Sequence, residues 1–470
     1  MTRVDYDNDA YSTFTYDDLN RVNTIIHYAS DNGVFKYFDY TYDNNSNVTR
    51  VDIMIEGNDL YKTYEYDELN RLTEEEYYIY GGPTLQYSYD YTYDAVGNRT
   101  SMVNFNGSQT VTTNYIYNSL NQLMQRSKGG NYSYTYDDNG NMINENLGVD
   151  LRHFEYNLDD RMVQALIDEE DEYDFEYELG GKLLLKTYAD GSQRKYYYDG
   201  IKVILEKTKP AQGSWTTSKV YTIGGGVSGG DIGFIIAERE ISGQNNTDRW
   251  YHYDRLGNVM ALSNSSGSPS TYFDQDAFGN VLSGSANGYH LTTKDNHTDI
   301  GLYYFNQRWL EPMLGRFIQK DPVKSINKYS YVDNNPINFI DPLGLAKRAR
   351  VCCRDVRAAI FWVFQHCYIE IIDDQHGRHT FGLHDVGGEG VVRANDPSDH
   401  GGTCGPWACG GNADCIASEI GKQGSNPGSY DPINNNCNTF VSNVLKACVG
   451  DSWTGYFPGG WSGNIPGRGI

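Results

Sequence analysis

The chain has 470 residues, among them 41 tyrosines and 50 glycines, and a net charge of −24. That length suits about three domains, and the acidic balance favours solubility while arguing against nucleic acid, which wants a basic footprint. No apolar run of about 18 residues occurs, so no transmembrane helix is expected, and the opening "MTRVDYDNDAYSTF" lacks the apolar stretch of a secretory signal.

Charge and cysteine are unevenly spread. Residues 346–470 hold 10 Lys+Arg and 12 Asp+Glu, about −2, which leaves −22 for residues 1–345. All eight cysteines fall between Cys352 and Cys448. Two composition regimes imply two independent units.

The first regime is repetitive. "FTYDDLNRV" (14–22), "YEYDELNRL" (64–72), "YTYDAVGNRT" (91–100), "YTYDDNGNM" (134–142), "FEYNLDDRM" (154–162) and "YHYDRLGNV" (251–259) share one pattern. Central tyrosines from Tyr16 to Tyr198 recur every 19 to 27 residues. "Y-x-Y" alternation puts both aromatics on one strand face. The Asp, Asn and Gly that follow are turn formers. Each unit is therefore a hairpin that buries its tyrosine face only by stacking on its neighbours. Tyr and Asp also suit sugar binding, but a residue type present in every unit reads first as fold chemistry.

These units resemble the YD-repeat, or Rhs, family over roughly residues 1–345. The resemblance implies a mostly β fold, a long antiparallel sheet spiralling into a hollow shell. Next come "GLYYFNQRWLEPMLGRFIQKDPV" (301–323) and "INKYSYVDNNPINFIDPLGL" (326–345). They resemble the Rhs-associated core, assigned to 295–345 after a shell of 1–294. Glu311-Pro312 replaces the usual Asp-Pro, with little consequence expected. In that family the core is a self-cleaving peptidase that cuts after "DP-x-GL". The resemblance places the cut between Leu345 and Ala346. It makes Asp321 the aspartyl catalytic residue, Arg308 its charged partner and Asp341 a second carboxylate; Asp299 is a weaker candidate. Paired carboxylates with split pKa values can activate water and protonate a leaving amine. From the residues alone, Asp-Pro is also an ordinary turn former and Arg–Asp an ordinary ion pair.

Residues 346–470 suffice for a small α+β domain. "HCYIEIIDDQHGRHTFGLHDV" reads as two strands about a turn. Pairing centred on Gln375 sets His384 opposite His366, with His379 nearer the turn. Farther on, Asn434 to Asn436 cap a helix whose stripe is Phe440, Val441, Val444, Leu445 and Cys448, and Gly450 ends it. Cys437 then lies in the first turn, where a thiolate is favoured. "HCYIEI" and "NNCNTFV" resemble the permuted papain-like NlpC/P60 hydrolases. That resemblance implies Cys437 as nucleophile, His366 as base and His384, with His379 in reserve, as the orienting residue. Cys437 as a buried structural cysteine is the plain alternative. His400, Cys404, Cys409 and Cys415 are spaced too irregularly for a good zinc set, and no cofactor is expected. Disulfides in an oxidising destination are a further reading of the cysteines.

Together these features point to a Rhs-type polymorphic toxin or effector, secreted or at the cell surface. Its shell carries a cysteine hydrolase that its core cuts free. Expected partners are an immunity protein, secretion-system components and a cell-wall or protein substrate, without nucleic acid. The alternative is a non-enzymatic carbohydrate- or protein-binding YD-repeat protein whose C-terminal module is stapled by disulfides.

Overall fold

The Y-x-Y-D unit does three separate jobs. Its first aromatic is buried, as at Tyr40, Tyr64, Tyr91, Tyr134, Phe154, Phe175 and Tyr196. At its second aromatic the strand register slips by one residue, for example between Thr41 and Tyr42, Glu65 and Tyr66, and Glu155 and Tyr156. This bulge sends the second ring toward the preceding unit, where its hydroxyl donates to a backbone carbonyl. Tyr42 reaches Val22 at 2.5 Å, Tyr66 Val48 at 2.7 Å, Tyr93 Leu72 at 2.8 Å, Tyr156 Met142 at 2.8 Å and Tyr198 Leu183 at 2.7 Å. These second rings pack on the same core from its rim.

The Asp folds the turn. Asp94 Oδ1 accepts the N–H groups of Val96 (3.0 Å) and Asn98 (2.8 Å), and its Oδ2 accepts Asn98 Nδ2 (2.9 Å). Asp17, Asp67 and Asp254 repeat the pattern. The residue three after the Asp has positive φ: Asn70 at 60°, Gly97 at 83°, Gly140 at 93°, Gly257 at 76°. Gly, Asn and Asp adopt that conformation most cheaply, which is why these types fill the position in most units, Ser46 after Asp43 being an exception. Tyr and Asp are thus consumed by the fold.

The computed structural model describes residues 3–344, apart from 20, 56, 80–83, 147–150, 225–232, 244, 285–287 and 323–325; between 348 and 409 it describes strand backbone. Among the described residues, 24 strands from Arg3–Asp5 to Pro269–Tyr272 form one sheet. Each strand pairs antiparallel with its neighbour in the chain. The expected long antiparallel sheet is found. It curls until its first hairpins meet its last. Asn8 Nδ2 donates to Asn264 O (2.8 Å), Ser30 N to Gly267 O (3.2 Å) and the buried Lys36 Nζ to Met260 O (3.0 Å).

Residues 288–317 then form five short strands, Gly288–Tyr289, Asp295–His297, Leu302–Tyr304, Trp309–Glu311 and Arg316–Phe317. Their apolar side chains share one core with the sheet's inner face. Between residues 304 and 334 the closing segment meets five consecutive repeat turns. Asn334 Nδ2 donates to Gly97 O (2.9 Å), Arg316 Nη2 to Asn121 O (2.5 Å), Tyr329 OH to Gly140 O (2.7 Å), Gln319 Nε2 to Asp160 O (2.9 Å) and Tyr304 OH to Gly181 O (3.2 Å). Glu311 matters more than expected. It is buried and pairs with Arg152 Nη2 at 2.5 Å, while that guanidinium also holds buried Glu145.

In the C-terminal unit, strands run in the order Glu389–Ala394, Gly377–Val386, Trp362–Asp373, Arg348–Ala358, Thr403–Cys409. The hairpin pairs Asp373 with Gly377 and Ile369 with Phe381, so it is centred on residue 375, the centre read from the sequence. The expected helix at 434–450 lies outside the described residues.

Phe154 is fully buried, whereas Leu158, at the tip of the same unit's turn, is 101% exposed. Phe154→Ala is expected to cost about 3–5 kcal/mol and to lower the melting temperature clearly. Leu158→Ser should leave it unchanged; thermal unfolding followed by circular dichroism checks both.

Candidate active site in the closing segment

Arg308 sits at the centre of the closing segment, on the turn that leads into the strand Trp309–Glu311. Its side chain is 2% exposed and its guanidinium lies 3.7 Å from the centre of the Phe317 ring. Nη2 is 2.8 Å from Asp321 Oδ2 and 3.5 Å from Asp341 Oδ2. Nη1 donates to Lys328 O at 3.1 Å, and Nε donates to Gly344 O. Asp321 and Asp341 are themselves buried. The three residues named from sequence therefore converge: one guanidinium binds both carboxylates. Burial pulls the Arg308 pKa below its ordinary value, opposed by Asp321 and then Asp341.

The segment 341–344 is held rigidly beside this cluster. Asp341 Oδ1 accepts Gly344 N–H at 2.7 Å and Leu343 N–H at 3.3 Å. Three successive carbonyls are then bound: Pro342 O by Lys294 Nζ (2.6 Å), Leu343 O by Gln307 N–H (3.1 Å) and Gly344 O by Arg308 Nε. Gly344 has φ +73°, and a Cβ there would come within 2.9 Å of Phe305 O. The Gly of the "DPLGL" motif is thus required by conformation and by space. Chemically, the arrangement presents two buried carboxylates and a cation to a strand of immobilised peptide carbonyls.

Lys294, Gln307 and Phe317 belong to this cluster and were not singled out in the sequence. Gln307 and Phe317 fall inside the quoted motifs, and Lys294 carried no signal. Asp299 lies elsewhere, paired with Lys186 at 2.5 Å. Leu345 and Ala346, which flank the expected cut, lie outside the described residues, as do Cys437 and the side chains of His366, His379 and His384. So do His400, Cys415 and the side chains of Cys404 and Cys409. Register alone sets Cys352 opposite Cys404 and Cys353 opposite Cys367.

Residues 2–337 match the family described as Teneurin YD-shell. The chain belongs to that family. It is 29% identical over 270 residues to the tRNA3(Ser)-specific nuclease WapA of Bacillus spizizenii, a match covering 54% of this chain and 11% of that protein. The tRNA nuclease WapA of Bacillus subtilis (strain 168) is 28% identical over the same length, again 11% of that protein. The chain thus spans about a tenth of these relatives. Among solved structures, TcdB2-TccC3-Cdc42 superposes with a TM-score of 0.61 at 19% identity, covering 73% of this chain and 19% of that one. That likeness is one of fold.

Such relatives remove the ground for excluding nucleic acid. The −24 charge was the argument, yet −22 of it belongs to residues 1–345 and only about −2 to the C-terminal unit. Bulk charge on a YD-shell says nothing about what a separate unit binds. Among the described residues no helix is long and apolar enough to cross a membrane.

Arg308→Leu would leave two carboxylates buried against each other without a cation. Loss of one side of a buried ion pair costs about 3–5 kcal/mol, so a marked fall in melting temperature is expected. Arg308→Lys should recover only part of it, because an ammonium cannot reach the two carboxylates, Lys328 O and Gly344 O together.

Proposed function

We propose that this YD-shell protein is a toxin-like effector, secreted or at the cell surface, whose closing segment cuts its own chain after Leu345. The division is a shell at 1–294, a closing core at 295–345 and a released unit at 346–470. The observation that carries this reading is that Arg308 joins Asp321 and Asp341, and that Arg308 and Asp341 bind Gly344, one residue before Leu345. One carboxylate takes a proton from water and the other gives one to the leaving nitrogen, with Arg308 held nearer Asp321 than Asp341. The immobilised carbonyls fix the segment for attack.

For the released unit, a cysteine hydrolase using Cys437, His366 and His384 is the reading the sequence motifs favour, and the hairpin centred on residue 375 is compatible with it. An immunity protein and secretion components fit a toxin, as does a cell-wall or protein substrate. The relatives named as tRNA nucleases make RNA cleavage the competing activity.

Mass spectrometry of the purified full chain tests the cut. A fragment of residues 346–470 is expected, and it should vanish in Asp321→Asn; a chain that stays intact in the native protein would refute self-cleavage. The released unit is then assayed in parallel. Cys437 should be alkylated selectively near neutral pH, more slowly in His366→Ala. Cleavage of tRNA that persists in Cys437→Ala would instead establish the nuclease.

A further inference from the structure

Away from Arg308, a second group of ionisable residues, with Lys186 and His297 buried among them, lines an open cavity of about 540 Å³. It lies between the strands Asp171–Tyr177, Leu183–Thr187 and Gln193–Asp199 and the closing segment at 297–299. Lys186 lines it with a side chain only 1% exposed. Its Nζ donates to Asp299 Oδ2 at 2.5 Å and lies 3.2 Å from His297 Nδ1. The rings of Tyr188 and Tyr173 flank the amine at 4.7 and 5.1 Å. Behind it, His297 Nε2 is 3.3 Å from Asp295 Oδ2, which lies 3.6 Å from Arg194.

No step of the proposed cut uses these residues. An amine beside a carboxylate and an imidazole, walled by aromatics and open to a cavity, has what carbonyl condensation requires. It is a nucleophile with adjacent groups to move protons. Burial, opposed by Asp299, also pushes the Lys186 pKa down to about 8, which leaves free amine available near neutrality. The lining selects the ligand. Glu170, Asp171, Asp190 and Asp299 outnumber Lys186 and Arg194, so anions are repelled while hydroxyl donors are accepted.

We propose that this cavity is a carbonyl-binding site in which Lys186 forms an imine with small, neutral, polyhydroxylated aldehydes. The Lys186 ammonium first gives a proton to Asp299. The freed lone pair attacks the aldehyde carbon, making the C–N bond as the C=O π pair moves to oxygen. His297 carries a proton from nitrogen to that oxygen. Asp299 returns its proton to the carbinol oxygen, water leaves, and a protonated C=N bond remains. Ammonium plus aldehyde thus gives iminium plus water, with Asp299 and His297 regenerated and no redox change.

The full chain is incubated near neutral pH with D-glyceraldehyde and cyanoborohydride, which traps an imine as a stable amine, and peptides are mapped by mass spectrometry. Lys128 and Lys320, both exposed, serve as internal references. Lys186 is expected to be modified about tenfold faster than either despite its burial, and glyoxylate, an anionic aldehyde, should show no such preference. Asp299→Asn, checked for an unchanged circular dichroism spectrum, should lose the advantage. The proposal is overturned when Lys186 reacts no faster than Lys128, or glyoxylate labels it as fast as glyceraldehyde. A folded Asp299→Asn that labels at the native rate overturns it equally. The native-chain comparison stands even where the variant does not fold.

Discussion

One hydrogen bond recurs through the molecule and organises it: in most units the second tyrosine donates to the start of the second strand of the unit before it. A hairpin of this length cannot bury its aromatic face alone. The bulge before the tyrosine turns its ring out of strict alternation, and the hydroxyl then fixes the distance and orientation between neighbours. Because that bond spans two hairpins, stability is shared between units, as in other stacked repeats. Without the bulge, the ring would continue the strand's alternation and the carbonyl at positions such as Val48 or Met142 would lose its partner.

The repeat supplies a curved sheet with an open rim, and the segment after it supplies closure. Its contacts are of two kinds. On the inner face, buried ions meet opposite charges from the closing segment, as Arg152 meets Glu311 and Lys186 meets Asp299. At the rim, hydrogen bonds join the segment to the backbone of successive turns. Leu256 and Phe278 show what this closure does to a turn. At the same position, two residues after the turn Asp or Asn, Leu19, Leu69 and Leu120 are exposed, whereas these two are buried, Leu256 in contact with Ile340 and Phe278 against Tyr91.

Much of this was legible in the sequence because it is local. Alternation of aromatics predicts strands, and the spacing of Asp, Gly and Asn predicts turns. Both are properties of nine or ten consecutive residues. The hairpin about residue 375 was found in the same way. The bulge was not, since "Y-x-Y" looks like plain alternation until the hydroxyl's partner is known. The candidate site divides likewise. Arg308, Asp321 and Asp341 were found through motifs whose order resembles a family. Lys294, Lys186 and His297 were missed, and Asp299 was grouped with the cut instead of with Lys186, because their partners are brought together from distant strands. The second Lys of "KLLLKT" gives no sign that it is buried. The exclusion of nucleic acid from net charge lost its ground for the opposite reason, being an average over units with different jobs.

The correspondence between closing segment and turns has a consequence for how such a protein can change. Asn334, Arg316, Tyr329, Gln319 and Tyr304 meet five consecutive turns, one each, like the teeth of a gauge. Inserting or deleting one hairpin between Gly97 and Gly181 would shift every later tooth by a whole notch. The perimeter is therefore counted by the piece that seals it, and lengthening is tolerated only outside the span that piece measures.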